Sequence, residues 1–125
     1  MPRTTIVLPT PANAGNVTVT TSQTNLLSPG SAITAGAMTN GVPLGDVESY
    51  SITVTNTGAT AMTLSFWISA GPNNGLRVQS TTSMAAGDVW TYQLSGNAAR
   101  ALAITAVTGA STTTVRADFC GVVYP

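Results

Sequence analysis

From residue 47 onward the chain alternates apolar and polar side chains again and again, and that period of two most narrows the folds open to it. Tyr50, Ile52 and Val54 alternate with Ser51, Thr53 and Thr55. Met62, Leu64, Phe66 and Ile68 form a second apolar face, and Trp90, Tyr92 and Leu94 a third. Leu102, Ile104 and Ala106 follow, and then Val115, Ala117 and Phe119, leading to Val122-Val123-Tyr124. Leu76-Arg77-Val78-Gln79 reads as a shorter strand. Successive side chains of a strand point to opposite faces of a sheet, so each run buries one face and exposes the other. Apolar residues at helical spacing are almost absent. Ala98-Ala99-Arg100-Ala101-Leu102-Ala103 is the only helix-prone run, and we read it as the approach to a strand.

Turn chemistry separates these runs. Asn56-Thr57-Gly58 closes the first, because Asn and Gly tolerate positive φ. Gly71-Pro72-Asn73-Asn74-Gly75, Ala85-Ala86-Gly87-Asp88 and the region of Gly109 mark further turns. Strands about 8 to 15 residues apart with a turn in each gap predict an all-β antiparallel β-sandwich, jelly-roll or Ig-like. The 125 residues make one domain. Residues 1–46 are rich in Thr, Ser, Asn, Gly and Pro and too short for a core of their own. They are expected to form an extended N-terminal arm with one or two outer strands, and residues 47–125 the sandwich core.

The polar positions carry little charge. Only 6% of residues are charged, against roughly 25% in ordinary soluble domains. Arg3, Arg77, Arg100 and Arg116 balance Asp46, Glu48, Asp88 and Asp118 to a net charge of zero, and Thr and Ser make up about a quarter of the chain. Without lysine there is no basic footprint for phosphate, so nucleic acid is not expected as a partner. The Ile6-Val7-Leu8 run, interrupted by Pro9 and Pro11, is too short for a secretory signal. No apolar stretch approaches the ~18 residues of a membrane span, so no membrane partner is expected. Asn16-Val17-Thr18 fits the glycosylation pattern, which we read as a chance match in a Thr-rich chain.

The same composition argues against catalysis. No histidine is present to act as general base or metal ligand. A Ser or Thr nucleophile lacks a partner base, and Met1-Pro2 does not supply an N-terminal one. Glu48 with Asp88 or Asp118 is a formally possible carboxylate pair for glycoside chemistry, but all four acids read as solvated surface acids. Asp46-Val47-Glu48 has incomplete spacing for a calcium loop. The lone Cys120 cannot form an internal disulfide and reads as a packed residue. No catalytic residue, metal ligand or cofactor is expected.

Contact residues are the alternative. Trp67 falls out of phase with Phe66 and Ile68 and should point outward, to anchor an interface, to stack on sugar, or to lie under the N-terminal arm. In a carbohydrate-binding module the stacking platform would be Trp67, Tyr50 or Tyr92. Arg116 and Asp118 lie two apart on one strand, so they share a face and form a surface or intersubunit ion pair. Tyr124 ends the C-terminal strand. Trp67, Arg116, Asp118 and Tyr124 are therefore the candidate interface residues. Strand edges without charged gatekeepers invite pairing, so neighbouring subunits or the arm should cover them.

The run Ser51-Ile52-Thr53-Val54-Thr55-Asn56-Thr57-Gly58-Ala59-Thr60-Ala61-Met62-Thr63-Leu64, the Gly87-Asp88 turn, and the terminal strand Val115 to Tyr124 with Gly121-Val122 resemble the small β-sandwich virion proteins of tailed bacteriophages. The resemblance covers residues 48–124, about three-fifths of the chain. It implies a head decoration or cement protein on the capsid surface, assembled in the host cytoplasm, which binds the major capsid protein and copies of itself as a homotrimer. A neck, tail or fibre module, or a carbohydrate-binding adhesive domain, is the alternative. The Asn-Thr-Gly segment is also similar to bacterial cell-surface Ig-like repeats, but the chain shows no repeat.

Overall fold

The computed structural model describes residues 4–7, 17–27, 32–36, 41–43, 47–69, 75–95 and 101–123. Ten strands run through them: β1 (Thr4–Val7), β2 (Val17–Val19), β3 (Thr24–Asn25), β4 (Val42–Pro43), β5 (Val47–Asn56), β6 (Met62–Ser69), β7 (Arg77–Met84), β8 (Val89–Ser95), β9 (Ala101–Thr108) and β10 (Thr113–Val123). β-branched Val, Ile and Thr fill nearly half of their positions, side chains that suit a pleated surface and crowd a helix.

All pairings are antiparallel. One sheet runs β1–β10–β5–β8, with β2 also on β10, and the other β3–β9–β6–β7, with β4 also on β9. β1 and β2 lie along one edge of β10, against Cys120–Val123 and Thr113–Val115. β3 and β4 likewise share one edge of β9. With each split edge counted as one strand, the fold is two four-stranded sheets. Every step between the long strands crosses from one sheet to the other except the β6–β7 hairpin. That is the double Greek key of a jelly roll and not the order of an Ig sandwich.

The expected alternation places the core. Val17, Val19, Leu26, Leu27, Tyr50, Ile52, Val54, Met62, Leu64, Phe66, Met84, Leu102, Ile104, Ala106, Val115, Ala117 and Phe119 form one buried cluster between the sheets, with Trp90 and Tyr92 packed against it. Ile68, expected on that face, is only half-buried. Residues 1–46 enter this core through β2 and Leu26-Leu27, and their strands occupy the outer edges of β10 and β9.

Two strands differ from expectation, one in its length and one in its burial. β7 continues through Ser80-Thr81-Thr82-Ser83, which carry no apolar alternation because the strand is an exposed sheet edge. β9 is buried along nearly its whole length. Leu102, Ile104 and Ala106 face the main core, while Ala101 and Ala103 belong to a second cluster with Ile33, Trp67 and Leu76 on the sheet's other face. This explains why β9 reads as a continuous apolar run. The turn at 85–88 forms where expected, and the chain leaves β5 after Asn56, which still belongs to the strand, to bend at 58–60; positions 71–74 and 98–100 lie outside the described residues.

Candidate functional site

Trp67 leaves its sheet on the face away from the main core, as its phase requires, but it is not exposed. Ile33 and Leu76 roof it, small Ala101 and Ala103 leave it room, and only 6% of its surface stays accessible. Its indole Nε1–H donates to Thr105 Oγ1 at 2.9 Å, satisfying the one polar atom that burial would orphan. The roof is held by Gly36 N–H donating to Leu76 C=O at 2.9 Å. Gly41 also packs tightly here, where a Cβ would come within 2.9 Å of Leu76 Cδ1. Of the roles open to Trp67, cover by the N-terminal region is the one seen, since Ile33 packs with it, and the readings of Trp67 as an interface anchor or a sugar platform are corrected.

The tyrosine platform is corrected in the same way. Tyr50 is buried, and Tyr92 packs inward on the core. Tyr50 lies between Tyr92 (ring centroids 6.2 Å) and Phe119 (5.9 Å), and Tyr92 meets Phe66 at 4.7 Å. These rings are core, since β5 and β8 pair Ile52 with Tyr92 and Val54 with Trp90 on the inward phase.

The outer face of the first sheet is the accessible surface. Arg116 Nε donates to Asp118 Oδ2 at 3.2 Å across one strand repeat, with both side chains substantially exposed. Register aligns Arg116 with Thr55 and Val89, and Asp118 with Thr53 and Thr91. The face is therefore a hydroxyl-rich plane bearing one internally neutralised ion pair. The side chains of Tyr124, Glu48, Asp46 and Cys120 lie outside the described residues.

The remaining acid in view is committed locally. Asp88 Oδ2 accepts the Ala85 N–H at 2.8 Å, while Asp88 N–H donates to Ala85 C=O, closing the β7–β8 turn with Gly87 at φ 85°. Among the described residues no three His, Cys, Asp or Glu side chains gather as a metal site. What this arrangement offers chemically is contact: neutral hydroxyl faces, and strand edges at β7 and β8. The sequence reading missed those edges as particular strands, because alternation reveals faces and not sheet order.

No protein-family model matches the chain, and no curated protein sequence matches it. Solved structures do. PirA aligns over 89% of this chain and 92% of its own, with TM-score 0.50 and 18% identity. The PBSX exported protein XepA aligns over 98% of this chain with TM-score 0.52 and 14% identity, and this chain spans 37% of XepA. The SPBc2 prophage-derived protein YomS aligns over 86% of this chain and 94% of its own, with TM-score 0.45 and 12% identity. What the chain shares with PirA and XepA is its fold, a two-sheet β-sandwich.

Proposed function

We propose that this chain is a structural protein of a bacteriophage virion, a capsid decoration or cement protein on the head surface that bridges capsomers. Its partners are the major capsid protein and further copies of itself. The observation that carries this reading is the outer face of the first sheet: mainly Ser and Thr, with exposed Val89 and Gln93 and one self-neutralised Arg116–Asp118 pair. Burying a charged surface in an interface costs several kcal/mol per unpaired ion, whereas hydroxyls find partners easily on either side of a contact. A surface of this kind suits repeated packing among neighbours, where many weak contacts add through multivalency. The bacteriophage part of the proposal rests on the resemblance of residues 48–124. The fold shared with the PBSX exported protein XepA is consistent with it.

The test compares particles with and without this protein under heat and osmotic shock. A cement protein's loss makes heads burst earlier, and unchanged resistance overturns the cementing role. Copy number then separates sites: many copies spread over the head indicate decoration, and a few at one vertex indicate a neck or tail part. Specific retention by a glycan array, with no particle binding, would favour the adhesive alternative.

A further inference from the structure

Among the described residues the sandwich has four sheet edges, and three of them are blunted. β1 and β2 share one edge as pieces of four and three residues. β3 and β4 share another as pieces of two residues each. β7 carries Arg77 at its start and a bulge: Phe66 pairs with Ser80 but Trp67 with Val78, leaving Gln79 unmatched. Short pieces, charges and bulges are the devices by which natural sheets prevent edge pairing. β8 has none of them. It runs seven residues, Val89-Trp90-Thr91-Tyr92-Gln93-Leu94-Ser95, in unbroken register with β5 and without charge or proline.

We propose that the free edge of β8 pairs antiparallel with β8 of a second copy of this chain. Backbone geometry makes the strand self-complementary. Asn56 N–H donates to Asp88 C=O at 3.0 Å, which sets the hydrogen-bonding phase at the start of the ladder. Bonded pairs alternate along an antiparallel ladder, so Trp90, Tyr92 and Leu94 turn their backbone groups to β5. Val89, Thr91, Gln93 and Ser95 turn theirs outward. A two-fold axis near Tyr92 pairs Val89 with Ser95 and Thr91 with Gln93, so each outward donor and acceptor meets an equivalent on the other copy.

The second copy is the occupant the charges favour. β8 holds no charged residue, and the chain has zero net charge, so nothing repels an identical strand. Val89, 61% exposed beside the exposed Thr91 and Gln93, would lose water on pairing. A two-fold contact makes a dimer, not the homotrimer that the phage resemblance implies. The proposal concerns the free protein in solution and stands independently of the virion role.

The experiment is sedimentation of the full chain from micromolar to millimolar concentration, with hydrogen exchange read at single amides. Wild type should reach a dimer mass, and the Val89, Thr91, Gln93 and Ser95 amides should exchange slowly in it. Thr91→Lys places two like charges near the axis, and Thr91→Pro removes an outward donor that the β5 ladder does not use. Each should raise the dimer dissociation constant at least about a hundredfold, with circular dichroism unchanged. Thr81→Lys on the β7 edge should leave the dimer intact. A wild-type monomer at all concentrations, a trimer, open-ended filaments, or fast exchange of those four amides within a dimer would each overturn the proposal.

Discussion

Thr113 Oγ1 donates a 2.7 Å hydrogen bond to Asn56 Oδ1 across 57 residues of sequence, joining the end of β5 to the start of β10 inside the sandwich. Asn56 is fully buried. Its Nδ2 donates to Thr60 C=O at 2.9 Å and to Met84 and Ala85 C=O at 3.3 Å. Its main chain bonds Asp88 and Gly87. One amide therefore ties the β5–β6 loop, the β7–β8 turn and the first residue of β10 at one end of the molecule. Asn56→Ala should destabilise by about 3 kcal/mol, because it orphans several buried groups at once. Asn56→Asp should also destabilise, since a carboxylate cannot donate to those carbonyls. Urea unfolding of both variants measures this.

Gly58 follows from the same knot. Its N–H donates to Thr114 C=O at 3.0 Å, and a Cβ there would come within 2.6 Å of the Thr114 backbone nitrogen and also strike Thr113 Oγ1. The backbone at Gly58 is not left-handed; the close approach of β10 is what excludes a side chain. Gly58→Ala should cost about 2 kcal/mol by overpacking. Gly87→Ala should cost about 1 kcal/mol for the opposite reason, since nothing lies within 4 Å but φ is 85°. The two unfolding midpoints separate crowding from backbone strain.

Trp67→Ala should destabilise by about 3–5 kcal/mol, because it empties the space under Ile33 and Leu76. Residues 32–36 should then become the first site of proteolytic nicking. Trp67→Phe keeps most of the packing and loses the hydrogen bond to Thr105, so it should cost less.

Tyr50 is buried with its hydroxyl unpartnered, and burial, reinforced by Tyr92, pushes its pKa up to about 12. The native state thus holds this proton where the unfolded chain, titrating near 10, releases it. Stability should be fully present below pH 10 and fall as pH rises toward 12. Tyr50→Phe should remove this component of the fall and be neutral or stabilising by about 1 kcal/mol at pH 7, because no hydrogen bond is lost. Chemical unfolding across pH 8 to 12 compares the two.

Arg116→Ala and Asp118→Ala should each change stability by less than about 1 kcal/mol, with the difference shrinking in salt. A larger loss in unfolding experiments on the free chain would mean that the pair supports the fold.

Much of this architecture was legible residue by residue. The inward phase of β5, β6, β8, β9 and β10 followed from alternation alone, because a strand's side-chain period is fixed by its backbone. The 85–88 turn followed from Gly87 and Asp88. Asn56 and Thr113 show where local reading stopped. Each continues the inward phase of its strand, after Tyr50, Ile52 and Val54 and before Val115, Ala117 and Phe119. A polar residue in an apolar phase is a legible mark of a buried hydrogen bond, yet Asn56-Thr57-Gly58 read as a turn. Alternation sets Trp67 on the outer face and leaves cover by residues 1–46 among its roles, but no local window singles out Ile33 as the residue that packs with it.

Local chemistry thus accounts for the strands, their two faces and the neutral surface, since these depend on backbone period and side-chain type within a few residues. The tertiary structure alone chose jelly roll over Ig-like order, laid β1 and β2 along one edge and β3 and β4 along another, and left β8 as the one unbroken edge among the described residues. Those outcomes depend on pairings between segments tens of residues apart, where the competing arrangements bury the same alternating faces and differ only in which strands meet.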